Sequence, residues 1–126
     1  MSALARSTGD VWENAALAHL QGAGLGLLQR NFLCRHGEID LVMRDRGAHA
    51  GIVFVEVRYR KSGAHGDGTA SVGAAKRAKL VRAAQAWLQA HPRLADEPCR
   101  FDVIGCSGTP QQPQFDWTRA AFDADF

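Results

Sequence analysis

The sequence predicts an α/β (α+β) fold in which helices flank a mixed central sheet. Two stretches repeat their apolar residues at helical spacing, and four shorter stretches are rich in β-branched and aromatic residues. These stretches follow one another in the order α-β-β-β-α-β, which is typical of a layered domain. The 126 residues fall in the usual size range of one domain, with no internal repeat or long linker. We therefore expect a single domain over residues 1–126.

Apolar periodicity predicts the two helices. We expect the first helix from about Asp10 to Gln21. Its apolar residues share one face at spacings of four: Trp12, Ala16 and Leu20. We expect the second helix from about Gly73 to Ala90, ending before Pro92. Its apolar residues also follow helical spacing: Leu80, Ala83, Ala84, Trp87 and Leu88.

Strand-forming residues predict four strands. Three precede the second helix, at residues 25–34 (LGLLQRNFLC), 38–44 (EIDLVMR) and 52–60 (IVFVEVRYR). The loop DRGAHAG, between the second and third, is of hairpin type. The fourth strand, RFDVIGC at residues 100–106, follows the second helix. We expect the last short piece, QFDWTRAAF, to be an appendage to this core.

The composition is that of an ordinary globular protein, with 46% hydrophobic and 22% charged residues. No apolar run approaches the ~20 residues of a membrane span. The N-terminal MSALARSTGD lacks the apolar stretch of a signal peptide. The three cysteines have no CxxC spacing, which argues against a disulfide framework or a zinc ribbon. We therefore expect a cytoplasmic protein with no membrane partner.

Charge is distributed unevenly along the chain, although the net charge is only +2. Between Val57 and Ala95 there are eight basic residues and a single acidic residue, Asp67. The rest of the chain has seven basic and 12 acidic residues. A chain polarised in this way can present a basic face to a polyanion. Nucleic acid is therefore the expected partner.

Carboxylates interrupt the second and third strands. Side-chain alternation places Glu38 and Asp40 on one face of their strand, and Glu56 and Arg58 on one face of the next. If the hairpin turns about Ala48, Asp40 lies opposite Glu56, with their Cβ atoms ~4.5–5.5 Å apart. Two carboxylates at that distance repel unless a cation or a shared proton lies between them. The pair is therefore a candidate site for Mg²⁺ or Mn²⁺, which suits phosphodiester hydrolysis.

The same residues allow a second interpretation. Glu38 and Asp40 could pair with Arg58 and Arg60 as a ladder of cross-strand salt bridges. The strongly apolar neighbours of these charges, and the Gly-rich loop and basic helix that follow, favour the metal site instead.

Basic residues crowd the first half of the second helix: Lys76, Arg77, Lys79 and Arg82. The helix dipole disfavours cations there by ~0.3–1 kcal/mol each, so they add nothing to stability. A helix N-terminus with basic side chains is a good phosphate site, although a merely solvated helix face is the alternative. Arg60 and Lys61 join this nucleic-acid-binding set. Trp87 belongs to the apolar face, so duplex or branched DNA is favoured over stacked single strands.

The segment GEID, followed by VFVEVRYR, resembles the PD-(D/E)xK nuclease superfamily of restriction endonucleases and archaeal Holliday junction resolvases. More closely, the chain resembles the bacterial YraN family (UPF0102). The matching segments occur in the family's order: GDVWENAALAHL, RNFLCRHGEIDLV, VFVEVRYR, KRAKLVRAAQAWL and RFDVI. The resemblance implies a restriction-endonuclease-like αβββαβ core and a metal-dependent, resolvase-like endonuclease. A resolvase acting on a two-fold junction is also expected to form a homodimer.

The resemblance also implies the site residues. Asp40 and Glu56 would hold Mg²⁺ or Mn²⁺, the backbone carbonyl of Val57 would add an oxygen, and Glu13 would enter the site from the first helix. Glu13 has a competing role, because Asp10-x-x-Glu13 is a good capping box for that helix.

The sequence departs from the superfamily at one position. A lysine is expected two residues after the glutamate, where this chain has Arg58. Arginine stays protonated, so Arg58 can stabilise a phosphate but cannot act as a base. Lys61 could replace the lysine only if the strand has ended or bulged. Two alternatives therefore stay open: a non-catalytic nucleic-acid-binding module with a degenerate nuclease site, and a structural domain with a salt-bridged hairpin.

Overall fold

The computed structural model of the protein describes residues 3–59 and 72–123, and side chains from residue 10 onward. Within them lie α1 (Ala3–Gly22), β1 (Leu25–Cys34), β2 (Gly37–Asp45), β3 (Gly51–Tyr59), α2 (Ala74–Ala90), a short 3-10 helix (Pro92–Leu94), β4 (Cys99–Thr109) and β5 (Gln112–Phe122). The strands form one mixed sheet in the order β1-β2-β3-β4-β5. β3 and β4 run parallel, whereas the other neighbours are antiparallel. The predicted fold class is confirmed, because this α+β sheet is consistent with a restriction-endonuclease-like αβββαβ core.

The two helices cover opposite faces of the sheet. The α1 face buries Trp12, Ala16 and Leu20 of the helix against Leu41, Met43, Val53, Val55, Ile104 and Cys106. The α2 face buries Leu80, Ala83, Ala84, Trp87 and Leu88 against Ile39, Val42, Ile52, Phe54, Phe101 and Val103. Strand alternation and helical spacing together produce these two cores. Neither helix is long and apolar enough to cross a membrane, within the residues that the structure describes.

The first helix and the last segment of the chain differ from the prediction in their secondary structure. α1 begins at Ala3, so Asp10 lies inside the helix and the predicted capping box does not exist. The strong helix formers in ALAR favour the first turn, whereas Ser7, Thr8 and Gly9, between it and Asp10, have low helix propensity. At the other end, the expected appendage is β5, an edge strand paired with β4. β5 includes Pro113, and proline is tolerated on an edge strand.

Candidate metal and nucleic-acid site

The β2–β3 hairpin has the register that the sequence predicts. Leu41 lies opposite Val55 and Asp45 lies opposite Gly51, so the hairpin is centred on Ala48. The ladder ends at the Leu41–Val55 pair, immediately before Asp40 and Glu56. Here Asp40 Oδ2 accepts a hydrogen bond from the Val57 N–H at 2.8 Å. A side-chain carboxylate of β2, rather than a backbone carbonyl, thus satisfies this β3 amide.

Strict side-chain alternation in β2 breaks at Asp40. Leu41 and Met43 face α1, as one side of a regular strand should. Ile39 lies instead in the α2 core together with Val42. The expectation of uninterrupted alternation through Glu38 and Asp40 is therefore wrong at this point. The interruption lies at the residue whose carboxylate inserts beside β3.

Glu56 is nearly buried and lies among cations. It is only 9% exposed. Its Oε2 is 3.5 Å from Lys76 Nζ and 4.0 Å from Arg58 Nε. The first turn of α2 therefore reaches the carboxylate at the end of the β2–β3 ladder. Two of the predicted basic residues meet one predicted metal ligand.

Asp40 lies in an environment that disfavours its charge. Burial is the largest influence and raises the pKa of its carboxyl from 3.8 to about 7. The Val57 hydrogen bond lowers this pKa, whereas the negative charges of Glu56, Glu13 and Glu38 raise it further. The carboxyl is thus partly protonated at neutral pH. Added positive charge would stabilise its ionised form.

Glu13 is held by β1 and does not cap α1. It is 9% exposed. Its Oε1 accepts hydrogen bonds from Arg30 Nε at 3.1 Å, Arg30 Nη2 at 2.9 Å and Asn31 Nδ2 at 3.1 Å. Its charge acts on Asp40, so the first helix brings a third acidic side chain to the same region. Sequence reasoning missed Arg30 and Asn31, although an adjacent Arg-Asn pair in the apolar strand LGLLQRNFLC was a visible signal.

A metal ion has a limited set of candidate ligands. No group of three or more Asp, Glu, His and Cys side chains in the described part of the chain could hold a metal ion. Asp40 and Glu56 do occupy corresponding levels of adjacent strands, and their mutual repulsion contributes to the raised Asp40 pKa. Mg²⁺ commonly binds through one or two carboxylates and completes its shell with water. The donors therefore fit a two-carboxylate site better than a three-carboxylate cage.

The predicted nucleic-acid-binding residues of α2 are all exposed: Lys76, Arg77, Lys79 and Arg82. The first turn has no acidic residue, and its N-cap Gly73 offers no side-chain hydrogen bond. Lys79 lies beside the β1–β2 turn at Gly37. The basic half of α2 thus borders the acidic region. Arg60 and Lys61, also predicted to bind nucleic acid, lie outside the described residues.

Comparison with known proteins identifies the family. The profile of the uncharacterised protein family UPF0102 matches residues 12–106, which include Glu13, Asp40 and Glu56. A UPF0102 protein of Xanthomonas euvesicatoria pv. vesicatoria is 53% identical over 125 residues, covering 99% of this chain and 98% of the relative. A UPF0102 protein of Stutzerimonas stutzeri is 48% identical over 119 residues, covering 94% and 97%. The chain therefore belongs to the UPF0102 family.

Proposed function

We propose that the protein is a Mg²⁺- or Mn²⁺-dependent endonuclease, similar to resolvases, that binds structured DNA and hydrolyses phosphodiester bonds. One observation carries the proposal: Asp40 and Glu56 come to corresponding positions where the β2–β3 ladder ends. Asp40 satisfies the Val57 N–H and Glu56 contacts two cations, yet the two carboxylates still repel each other. A shared hard cation would offset that repulsion.

The electrostatics support a cation at this position. The raised pKa of Asp40 indicates that the surroundings do not offset its charge, and Glu56 is one cause. A divalent ion beside both groups would hold Asp40 in its ionised form. Carboxylate oxygens are the ligands that Mg²⁺ and Mn²⁺ prefer. Asp40 and Glu56 would be the metal ligands, with the Val57 carbonyl as a further oxygen and Glu13 assisting.

The residues around Glu56 suit a phosphate substrate. When bound, the metal ion would activate water and offset charge on the phosphoryl oxygens. Arg58 and Lys76, both near Glu56, would bind and orient the scissile phosphate. Arg58 remains protonated, so its role is electrostatic and it does not remove a proton.

The basic half of α2 supports DNA as the substrate. Its exposed cations surround a helix N-terminus that lacks a side-chain cap. Lys76 links this surface to the acidic site through Glu56. A phosphate backbone lying along α2 would thus pass the proposed metal ligands. We propose Arg60 and Lys61 as further DNA contacts on the basis of the sequence, since they lie outside the described residues.

Cleavage and metal binding test the proposal together. Linear, flapped and four-way DNA would be incubated with Mg²⁺ or Mn²⁺, and Mn²⁺ affinity measured by calorimetry. The wild-type protein should cleave and bind Mn²⁺, whereas Asp40→Asn and Glu56→Gln should lose both properties. Glu97→Gln removes an acid paired with Arg44, away from the site, and should retain both. A wild-type protein that neither cleaves nor binds Mn²⁺ through Asp40 would contradict the proposal.

A non-catalytic nucleic-acid-binding module is the second candidate. Arg58 replaces the superfamily's lysine, and the cations beside Glu56 already offset part of its charge. This candidate predicts salt-sensitive DNA binding without cleavage, and new cleavage activity in Arg58→Lys. A structural domain would show neither, and charge reversal at Lys76 and Lys79 would then change nothing.

A resolvase acting on a two-fold junction requires two active sites, so we include a homodimer in the proposed function. A cytoplasmic location, where DNA is accessible, belongs to the same proposal. Sedimentation velocity with and without four-way DNA would measure the oligomeric state.

A further inference from the structure

We propose that Asn31 of β1 is a positioning residue that orients Glu13 within the acidic site. This inference rests on the proposed metal-dependent function and adds a residue that neither the sequence pattern nor the family resemblance indicated. Three features support it: the location of Asn31 in the sheet, its backbone conformation and its contact with Glu13.

Asn31 lies at the same level of the sheet as the proposed metal ligands. Arg30 pairs with Leu41 and Phe32 pairs with Ile39, so Asn31 falls opposite Asp40. The next strand carries Glu56 at the corresponding position. Three neighbouring strands thus contribute Asn31, Asp40 and Glu56 in a row.

The backbone of Asn31 is left-handed, with φ of +52°. Apart from glycine, asparagine is among the residues that tolerate this conformation best. In a regular strand, neighbouring side chains point to opposite faces. Arg30 and Asn31 nevertheless donate to the same oxygen of Glu13. The left-handed turn of the chain explains how two consecutive side chains reach one carboxylate.

The contacts leave one Glu13 oxygen for a ligand. The hydrogen bonds that Glu13 receives from described residues all end on Oε1. Oε2 is not among the buried, unpartnered atoms of the described residues, so solvent or a ligand can reach it. Arg30 supplies the compensating charge. The neutral amide of Asn31 fixes the orientation of the carboxylate, so that its other oxygen can accept a hydrogen bond from a water molecule bound to the metal ion.

Substitutions of Asn31 can distinguish the effect of its side-chain amide from the effect of its left-handed backbone conformation. Asn31→Gly accepts the left-handed backbone and removes the amide. Asn31→Asp keeps the shape but replaces a donor with an acceptor beside Glu13. Ala120 of β5, also left-handed with φ of +50°, provides the matched control Ala120→Gly away from the site. Because Asn31 is exposed, we expect its variants to fold.

Calorimetric Mn²⁺ affinity is the main measurement, with circular dichroism to verify folding. We expect Asn31→Gly to weaken Mn²⁺ binding by roughly 10-fold, as is common for residues that orient metal ligands. Asn31→Asp should weaken it less, because its added negative charge attracts Mn²⁺, and should make it more pH-dependent, whereas Ala120→Gly should bind like wild type.

Wild-type Mn²⁺ affinity in both Asn31 variants would overturn the inference and leave the proposed function intact. Equal losses in Asn31→Gly and Ala120→Gly would also overturn it, because backbone flexibility would then be the cause. A wild-type protein without Mn²⁺ affinity would contradict the proposed function itself, and this inference with it.

Discussion

The carboxylate of Asp40 on β2 accepts the backbone N–H of Val57 on β3, at 2.8 Å, where regular pairing between these strands stops. The hydrogen bond fixes the acidic side chain against the sheet and directs it to the neighbourhood of Glu56. It lowers the Asp40 pKa, but burial outweighs this effect. The protein thus holds in place a carboxyl group whose charge its own surroundings disfavour.

Stability should therefore depend on pH through Asp40. The folded protein binds the Asp40 proton more tightly than the unfolded chain, because folding raises the pKa from 3.8 to about 7. The contribution of this group to stability is full below about pH 4 and falls as pH rises to about 7. Asp40→Asn keeps an acceptor for the Val57 N–H and removes the charge. In metal-free buffer at pH 8 it should be more stable than wild type by roughly 2–4 kcal/mol.

Urea unfolding with EDTA at pH 5 and pH 8 measures this effect. The gain from Asp40→Asn should be larger at pH 8 than at pH 5. Equal gains at both pH values would show that Asp40 ionises with an ordinary pKa. Excess Mn²⁺ should raise the stability of wild type at pH 8 but not that of Asp40→Asn.

The Arg30–Glu13 ion pair should matter more than an exposed ion pair. The Glu13 side chain is 11% exposed, whereas Glu97, paired with Arg44, is 27% exposed. Arg30→Ala would leave a nearly buried carboxylate without its charged donor, at a cost of about 1–3 kcal/mol. Arg44→Ala should cost less than about 1 kcal/mol.

Urea denaturation of both variants provides the comparison. Adding Glu13→Gln to Arg30→Ala should recover part of the loss, because the unpaired charge is then removed. Equal costs for Arg30→Ala and Arg44→Ala would show that Glu13 is as well solvated as Glu97.

The sequence was sufficient for the hairpin that builds the site. Ala48 lies midway through the loop DRGAHAG, and a turn about this residue gives the register of the observed Leu41–Val55 pair. Both faces of β3 are apolar, with Ile52 and Phe54 on one and Val53 and Val55 on the other, so alternation alone did not determine the register. The apolar faces of the two helices were predicted from the spacing of their apolar residues, and both are buried against the sheet.

The rest of the site depends on contacts distant in sequence. Glu13 meets Arg30 across 17 positions, and no local pattern shows that the helix lies against that strand end. The left-handed Asn31 and the shift at Ile39 are local departures from strand geometry, whereas periodicity assumes regular strands. The competing capping-box interpretation was wrong because it depended on a helix start at Asp10.

β5 should contribute to stability through Asp102 of β4. This carboxylate is 1% exposed and accepts hydrogen bonds at 3.0 Å from Trp117 Nε1 and the Ala120 N–H, both on β5. Arg100 supplies its charged partner. Trp117→Phe removes one donor from a buried acceptor, so we expect a loss of about 1–3 kcal/mol in unfolding free energy.

Urea unfolding would measure this loss, and Mn²⁺ calorimetry would serve as the internal control. Mn²⁺ affinity should be unchanged in Trp117→Phe, because Asp102 belongs to a separate network. Full wild-type stability would show that the indole N–H adds nothing to the Asp102 network.

Lys79 should bind DNA without supporting metal binding. It is exposed on α2 near the β1–β2 turn, whereas Lys76 also contacts Glu56. The logarithm of the DNA association constant falls linearly with the logarithm of the salt concentration. Loss of one phosphate contact makes this slope shallower by about 0.9. Lys79→Ala should therefore weaken DNA binding for all sequences alike, reduce the salt slope by about 1 and leave Mn²⁺ affinity unchanged.

Fluorescence anisotropy with labelled duplex and four-way DNA, from low to moderate salt, measures the slope. Arg93→Ala is the matched control, because Arg93 is exposed beyond the C-terminal end of α2 and should contribute nothing. Lys76→Ala should lower the salt slope like Lys79→Ala but also alter Mn²⁺ affinity, since it removes a cation 3.5 Å from Glu56. If Lys79→Ala and Arg93→Ala leave the salt slope equally unchanged, the DNA does not contact this half of α2.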